Sequence, residues 1–193
     1  MNTIKIFLTI LNVPRLLPHI VIYLKYKKQL RKDIERNAIN GLRFGRLFDL
    51  LMLLVFHKQF RNLFYYRIGF WKYFCTFLLR PYETFTIGTN CSIGEGMVPG
   101  HSFSTIVNAE TIGNNFTVFQ NCTIGVSNGK RPIIGNNVTV FTNCVVVGGI
   151  TIGDNVQIGA GSVVCKSIPA NCIVVGNPAR IIRRNGVKCD EMC

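Results

Sequence analysis

The chain has 193 residues, 48% of them hydrophobic, and a formal net charge of +13. This apolar content is enough for a large buried core, which excludes an intrinsically disordered chain. The charge predicts a partner or a surface of opposite sign, and its distribution along the chain indicates where that contact lies.

Most of the charge lies in residues 1–80, which hold 15 of the 22 lysines and arginines against three acidic residues, for a net charge of +12. Twelve aromatic residues between Phe44 and Phe77 lie in the same segment. Residues 81–193 carry only +1. We therefore predict a basic, hydrophobic helical region over 1–80, followed by a domain of a different kind.

No run in the helical region is predicted to span a bilayer, because a spanning helix needs about 20 mostly apolar residues. Phe7–Leu24 is interrupted by two prolines and Arg15, and Leu47–Phe56 is short and contains Asp49. The N-terminal apolar run is also too short for a good signal peptide and has no small-residue cleavage site. We expect a cytoplasmic protein.

The helical region has two open interpretations. Cations interleaved with aromatic and leucine side chains suit helices that lie on an anionic membrane surface, which would make the protein peripheral on the inner face of the membrane. The same helices suit a cap that packs on the protein's own domain or on a partner subunit. Nucleic acid is not expected as a partner, because no recognition motif accompanies the charge.

Aliphatic residues recur every six positions from residue 87 onward, which is typical of a parallel β-helix. The register slips by one between Pro99 and Ile112 and by four across Val126–Ile133. Three hexapeptides form one triangular coil, so we predict a mainly β domain over 84–185 and a short tail over 186–193. The unbroken part of the column is Ile134, Val140, Val146, Ile152, Ile158 and Val164.

The fourth position after an aliphatic residue is predicted to face inward as well, and it holds Cys91, Cys122 and Cys144. Their spacing is that of the repeat and not that of a metal site or a disulfide framework. We therefore expect buried, reduced thiols at these positions. The more exposed thiols are expected near the tail, at Cys189 and Cys193.

The repeats, a slipped coil that contains His101, a loop late in the helix and a closing segment over 177–182 together resemble the hexapeptide-repeat acyltransferases. Within that family the serine acetyltransferase-like branch is the most similar. The resemblance covers residues 84–185 and implies a left-handed parallel β-helix that forms a homotrimer or a dimer of trimers. It also implies acetyl-CoA as the acyl donor, bound between neighbouring subunits, and no metal.

His101 is the candidate catalytic residue. It is the only one of three histidines in the repeats, and it lies where the register breaks. A hydroxyl that attacks a thioester must lose its proton, and imidazole is suited to accept it near neutral pH. The resemblance places His101 on the family's general base. Glu83, Glu95 and Glu110 are the candidates to orient it.

The resemblance also implies how acetyl-CoA is held. The family binds the pantetheine arm mostly through backbone groups, which correspond here to positions flanked by Thr142 and Ala160. The phosphates of CoA need cations near the end of the helix. The candidates are Lys166, Arg180, Arg183 and Arg184.

The acceptor site departs from that of the serine enzymes. There, carboxylates occupy the positions of Thr86 and Gly100, where one orients the base and the other contacts the amino acid. The late loop reads Lys130-Arg131-Pro132 and lacks that family's second histidine. The candidate acceptor contacts are Gly100, Gln120 and Arg131.

Because the ammonium group of serine would lack its carboxylate partners, we expect a neutral acceptor hydroxyl. A saccharide in surface polysaccharide synthesis fits this condition. Serine, as in cysteine biosynthesis, is the alternative, and a catalytically silent trimeric scaffold is a second alternative.

Overall fold

The computed structural model describes residues 3–38 and 44–192, and the chain divides into two compact units, Met1–Glu83 and Thr84–Cys193. The first unit is helical, because apolar side chains recur at helical spacing and pack on one another. Its described helices are α1 (Thr3–Leu11), α2 (Val13–Asn37), α3 (Arg46–Phe56), α4 (Lys58–Ile68) and α5 (Lys72–Cys75), with a 3₁₀ turn at Gly69–Trp71.

The core of the helical unit is mostly apolar, and the buried polar groups among its described residues include one ion pair. Leu16, Leu30 and Phe64 are completely buried. The Arg67 guanidinium donates to both carboxylate oxygens of Asp33, with Nε 2.7 Å from Oδ2 and Nη2 3.2 Å from Oδ1, and both side chains are buried. Removal of one partner would leave an uncompensated charge in the core, so this pair fixes how α2 and α4 pack.

No single helix among the described residues is long and apolar enough to cross a membrane. Helices α1 and α2 reach that length and composition only together, and the chain bends by 78° between them.

The second unit is a solenoid in which the chain turns through three sheets in succession, as the six-residue period predicts. Sheet A contains β1 (Phe85–Ile87), β4 (Thr105–Val107), β7 (Thr123–Gly125), β10 (Val145–Val147) and β13 (Val163–Val164). Sheet B contains β2 (Ser92–Ile93), β5 (Thr111–Ile112), β8 (Ile133–Ile134) and β11 (Thr151–Ile152). Sheet C contains β3 (Val98–Pro99), β6 (Thr117–Val118), β9 (Thr139–Val140), β12 (Gln157–Ile158), β14 (Cys172–Val175), β15 (Arg180–Arg184) and β16 (Val187–Met192).

All the solenoid strands before β15 pair in parallel, and equivalent aliphatic residues stack from coil to coil. Cys91, Cys122 and Cys144 are buried, as expected. Among the described cysteines, however, the exposed one is Cys165, whereas Cys189 is only partly exposed. Cys193 lies outside the described residues.

The edge between sheets B and C is held by asparagines. Asn115, Asn137, Asn155 and Asn171 all have positive φ angles between 55° and 59°. Each of the first three donates from its side-chain amide to the side-chain oxygen of the next, over 2.8 to 2.9 Å. Asparagine suits this corner because it tolerates the left-handed conformation better than other residues with a side chain.

The predicted tail is part of sheet C. Strand β15 pairs antiparallel with β14, and β16 pairs antiparallel with β15. The turn between β15 and β16 uses Asn185 and Gly186, both with positive φ angles, which is the preferred chemistry of a two-residue hairpin.

Candidate active site

His101 lies in an enlarged corner of the first coil. In a regular coil of three hexapeptides, paired residues are 18 positions apart. Here Ile87 pairs with Val107, 20 positions later, Pro99 pairs with Val118, 19 positions later, and Val107 pairs with Ile124, 17 positions later. Two residues are therefore inserted after Pro99 and one is removed before Ile112. The slip of one in the sequence register is the net result of these two changes.

The enlarged corner exposes the imidazole. Corner segment Gly100–Ser104 replaces the three-residue corners of the later coils, and both His101 and Ser104 have positive φ angles, of 50° and 49°. The Phe103 amide donates to the His101 carbonyl over 2.8 Å and closes a tight turn. Ser102 is fully buried between two exposed neighbours, so His101 and Phe103 both face outward.

Three more predicted positions lie on the same edge of the solenoid. The corners Phe119–Asn121, Phe141–Asn143 and Gly159–Gly161 stack below Gly100–Ser104, and we call these four segments the His101 edge. Amides and carbonyls join them from coil to coil over 2.9 to 3.0 Å, for example Asn121 N to Phe103 O and Gly161 N to Thr142 O. The structure thus brings Gln120, Thr142 and Ala160 into one column with His101.

An aromatic stack lies directly below Gly100. The rings of Phe119 and Phe141 are parallel within 3°, with centroids 5.5 Å apart. A β-carbon placed on Gly100 would lie 3.0 Å from the Phe119 ring. Phe103, 43% exposed, adds apolar surface on the same corner as His101, and Phe141, 37% exposed, adds apolar surface two coils further along the His101 edge. Sequence reasoning missed this stack, although Phe119 and Phe141 each follow an inward valine of the column.

No orienting partner for His101 is present among the described residues of the second unit. Its ring makes no hydrogen bond or ion pair there. Glu95 lies on the asparagine edge, where its amide donates to Asn114, and Glu110 lies just before β5, where its amide donates to the Pro132 carbonyl. Neither of these two candidates is on the His101 edge.

Arg131 lies on a third edge, between sheets A and B. The late loop is a tight hairpin in which the amide of each of Ser127 and Lys130 donates to the carbonyl of the other. Asn128 and Gly129, between them, have positive φ angles. The guanidinium Nη1 of Arg131 donates to the carbonyls of Asn90 and Ala109 over 3.0 and 3.3 Å. Within one chain Arg131 therefore braces neighbouring coils, and its contact with an acceptor stays a prediction.

Residues 131–166 match the bacterial transferase hexapeptide family of six repeats. A serine acetyltransferase of Synechococcus elongatus is 34% identical over 160 residues, which cover 80% of this chain and 66% of the relative. This chain belongs to the hexapeptide-repeat acyltransferase family. The curated relatives matched here are longer, since the chain spans 48% to 66% of their length.

Solved structures of the family confirm the left-handed β-helix. A serine acetyltransferase from Brucella abortus superposes with a TM-score of 0.66 at 26% identity, over 84% of this chain and 70% of that one. A structure of a Brucella abortus serine acetyltransferase in complex with coenzyme A, 24% identical, superposes with the same TM-score over 90% of this chain and 72% of that one.

Of the four cations predicted to bind phosphate, three lie together in this chain and one lies apart from them. Arg180, Arg183 and Arg184 lie together on β15, whereas Lys166 lies on the edge between sheets A and B, beside Pro178 and Met192. The C-terminal strand, predicted only as a tail, supplies acids to two of them. Arg180 Nε lies 2.9 Å from Asp190 and Arg184 Nη1 lies 3.2 Å from Glu191. These pairs are exposed and worth at most about 1 kcal/mol each, so a phosphate can replace either acid.

Proposed function

We propose that this chain is an acetyl-CoA-dependent O-acetyltransferase with His101 as the general base. The observation that carries the proposal is the enlarged corner, which presents the imidazole on an edge that continues through Gln120, Thr142 and Ala160. The relatives, named serine acetyltransferases, support the same chemistry.

The reaction needs one proton acceptor and one leaving thiol. An imidazole nitrogen of His101 removes the proton of the acceptor hydroxyl as its oxygen attacks the thioester carbonyl of acetyl-CoA. The carbon–sulfur bond breaks, the CoA sulfur takes up a proton from the imidazolium, and the products are an acetyl ester and free CoA. The His101 edge holds the pantetheine arm, and the arginines of β15 bind the phosphates. A phosphate contact from Lys166, which lies on a different edge, stays a prediction.

L-serine is the first candidate acceptor. The curated relatives are serine acetyltransferases at 34% to 40% identity, and they favour serine over the saccharide that the sequence alone led us to expect. In this case residues outside positions 86 and 100 bind the ammonium group.

A neutral saccharide hydroxyl is the second candidate, and one contact favours it. A side chain at position 100 would meet the Phe119 ring at 3.0 Å, so the corner has no room for a carboxylate there unless that ring moves. The exposed Phe103 and Phe141 offer apolar surface to a ring-shaped acceptor in its place.

The family also supports an oligomer, and we propose a homotrimer or a dimer of trimers. A CoA groove built by two chains would complete the site and bring residues of a neighbouring chain, such as Arg131, close to the His101 edge. Light scattering on the full chain tests this proposal. A monomer with full turnover would overturn it.

The assay that tests the function measures thiol release from acetyl-CoA with L-serine, free sugars, nucleotide sugars and lipid-linked glycans in parallel. Release with L-serine alone supports the first acceptor, and release with a glycan alone supports the second. His101→Ala should slow release by about 10² to 10⁴ with whichever acceptor works. No release with any of them from the correctly folded oligomer would leave the silent scaffold as the better account.

A further inference from the structure

The helical unit exposes a cluster of aromatic side chains at its last helical segment. Phe70, Trp71, Tyr73, Phe74 and Phe77 are all exposed, and Phe77 is 89% exposed. The rings contact one another, with Trp71 5.7 Å and Phe70 6.2 Å from Phe74 between centroids. Rings in mutual contact form one apolar patch, which is uncommon on the surface of a protein without a partner at that place.

Helix α2 lies beside this patch. The Arg15 side chain donates to the Leu78 carbonyl, and the Lys25 ammonium lies 4.9 Å from the Trp71 ring. The segment from Trp71 to Leu78 therefore runs alongside α2 between these two cations. In that stretch α2 exposes a stripe of apolar side chains at helical spacing. We call this stripe and the aromatic cluster the aromatic face, which comprises Leu17, Val21, Leu24, Phe70, Trp71, Tyr73, Phe74 and Phe77.

Cations border the aromatic face. The exposed stripe of α2 changes from Leu17, Val21 and Leu24 to Lys28 and Arg31 with the same helical spacing. Lys25 lies over the Trp71 ring, and the Lys72 ammonium lies 5.3 Å from the Tyr73 ring. Apolar side chains beside lysines on one helix are the pattern of helices that lie in a lipid headgroup layer.

The acids of the unit offset only a small part of this charge at the surface. Asp33 and Asp49 are buried, and Asp33 binds Arg67. Glu35 binds Arg31 and Arg46 over 3.1 and 3.0 Å. Glu83, the last residue of the unit, is the remaining acid and is exposed. The charged groups at the surface of the described part of this unit are therefore mostly cationic.

We propose that the aromatic face binds an anionic membrane surface. A bilayer with anionic headgroups matches both properties of the face, since acyl chains receive the rings and phosphates receive the lysines. A second copy of the chain matches only the apolar property. A self-complementary contact would bring together two copies of the same segment, each with a net charge of +12, and these would repel each other.

The single tryptophan of the chain lies in this face and reports on binding directly. The experiment adds the full chain to phosphatidylcholine vesicles with and without phosphatidylglycerol, and follows Trp71 emission and flotation. We expect a blue shift and flotation only with the anionic vesicles, both lost at about 1 M salt, where the screening length falls to ~3 Å. No blue shift and no flotation, or equal flotation with neutral vesicles, would overturn the proposal.

Two pairs of substitutions locate the contact. Lys25→Glu with Lys28→Glu should weaken binding at least about 30-fold, since each cation at such a surface contributes about 1 kcal/mol. Phe74→Ser with Phe77→Ser should weaken it about tenfold or more. Val187→Ser, which removes an exposed apolar side chain of the second unit, is the matched control and should bind like the unchanged protein.

The size of the oligomer shows whether a membrane or a second copy of the chain covers the aromatic face. Phe74→Ser with Phe77→Ser should leave the mass in light scattering and the acetyl transfer rate in solution unchanged. A smaller assembly after these substitutions, without any change in vesicle binding, would show that a second copy covers the face and would overturn the proposal. Vesicle binding and the mass in light scattering are measured without any acetyl transfer, so these two results are independent of the proposed function.

Discussion

The contact between Gly100 and Phe119 gives the sharpest stability test of the His101 edge. Gly100→Ala adds one methyl group at a position whose φ angle is ordinary, so the backbone itself tolerates alanine. The added carbon would lie 3.0 and 3.1 Å from two atoms of the Phe119 ring. That ring is stacked on Phe141, with centroids 5.5 Å apart, which limits how far it can retreat.

Insertion of a methyl group into such a contact costs about 1–2 kcal/mol, within the usual range for overpacking. The displaced corner also carries His101, so turnover should fall together with stability. Urea unfolding at neutral pH and thiol release from acetyl-CoA measure the two effects. Gly125→Ala is the matched control, because no atom lies within 4 Å of its added carbon and its φ angle is also ordinary. It should change neither quantity by much.

A double-mutant cycle identifies the cause. Phe119→Ala removes the ring, so Gly100→Ala should cost close to nothing in that background, with a coupling free energy of about 1–2 kcal/mol. Additive costs in the two backgrounds would refute the proposed contact. A Gly100→Ala protein as stable and as active as the unchanged one would refute the geometry of the corner.

Three further predictions concern the rest of the chain. Asn137→Ala removes the hydrogen bonds to Asn115 and Asn155 and places alanine at a φ angle of 55°. It should lower the free energy of unfolding in urea by about 2 kcal/mol. Asn137→Gly should lower it by about 1 kcal/mol less, because glycine accepts this φ angle. Burial, followed by nearby guanidinium groups, lowers the pKa of His19 from 6.5 to about 4. The unfolded chain therefore binds the extra proton, and stability should be complete above pH 6.5 and fall by about 3 kcal/mol towards pH 4, with a flatter profile for His19→Gln. Among the described thiols Cys165 should react first with a thiol reagent in the native protein, and fast labelling of the buried thiols would show that the register is wrong.

The repeat domain could be predicted from the sequence because one inward aliphatic residue in each hexapeptide marks the period. Each inward aliphatic residue, such as Ile134 or Val146, occupies the same place in a coil as the residue one turn away. The net slip near His101 was also visible. Its resolution into an insertion of two and a deletion of one was not, because only the pairing of Ile87 with Val107 locates the extra residues.

The parts of the site that the sequence did not predict depend on contacts between distant positions. The tail forms a strand because the Asn185-Gly186 turn brings it back along β15, and the exposed pairs of Arg180 and Arg184 with acids ten and seven residues later add only a little to that pairing. The Phe119–Phe141 stack spans one coil plus the inserted hairpin, so its spacing differs from the regular repeat. In the helical unit the number of aromatic side chains is evident from the sequence, but which of them are exposed depends on how α2 and α5 pack, and no periodicity predicts that packing.

The central claim is that His101 accepts the proton of the acceptor hydroxyl, and acetyl transfer by His101→Ala tests it most directly. With the acceptor that the unchanged protein uses, the rate should fall by about 10² to 10⁴, the usual contribution of a positioned general base, while acetyl-CoA still binds in calorimetry. His101→Gln is the control for side-chain volume and should be equally slow. Turnover like that of the unchanged protein in either variant would contradict the account.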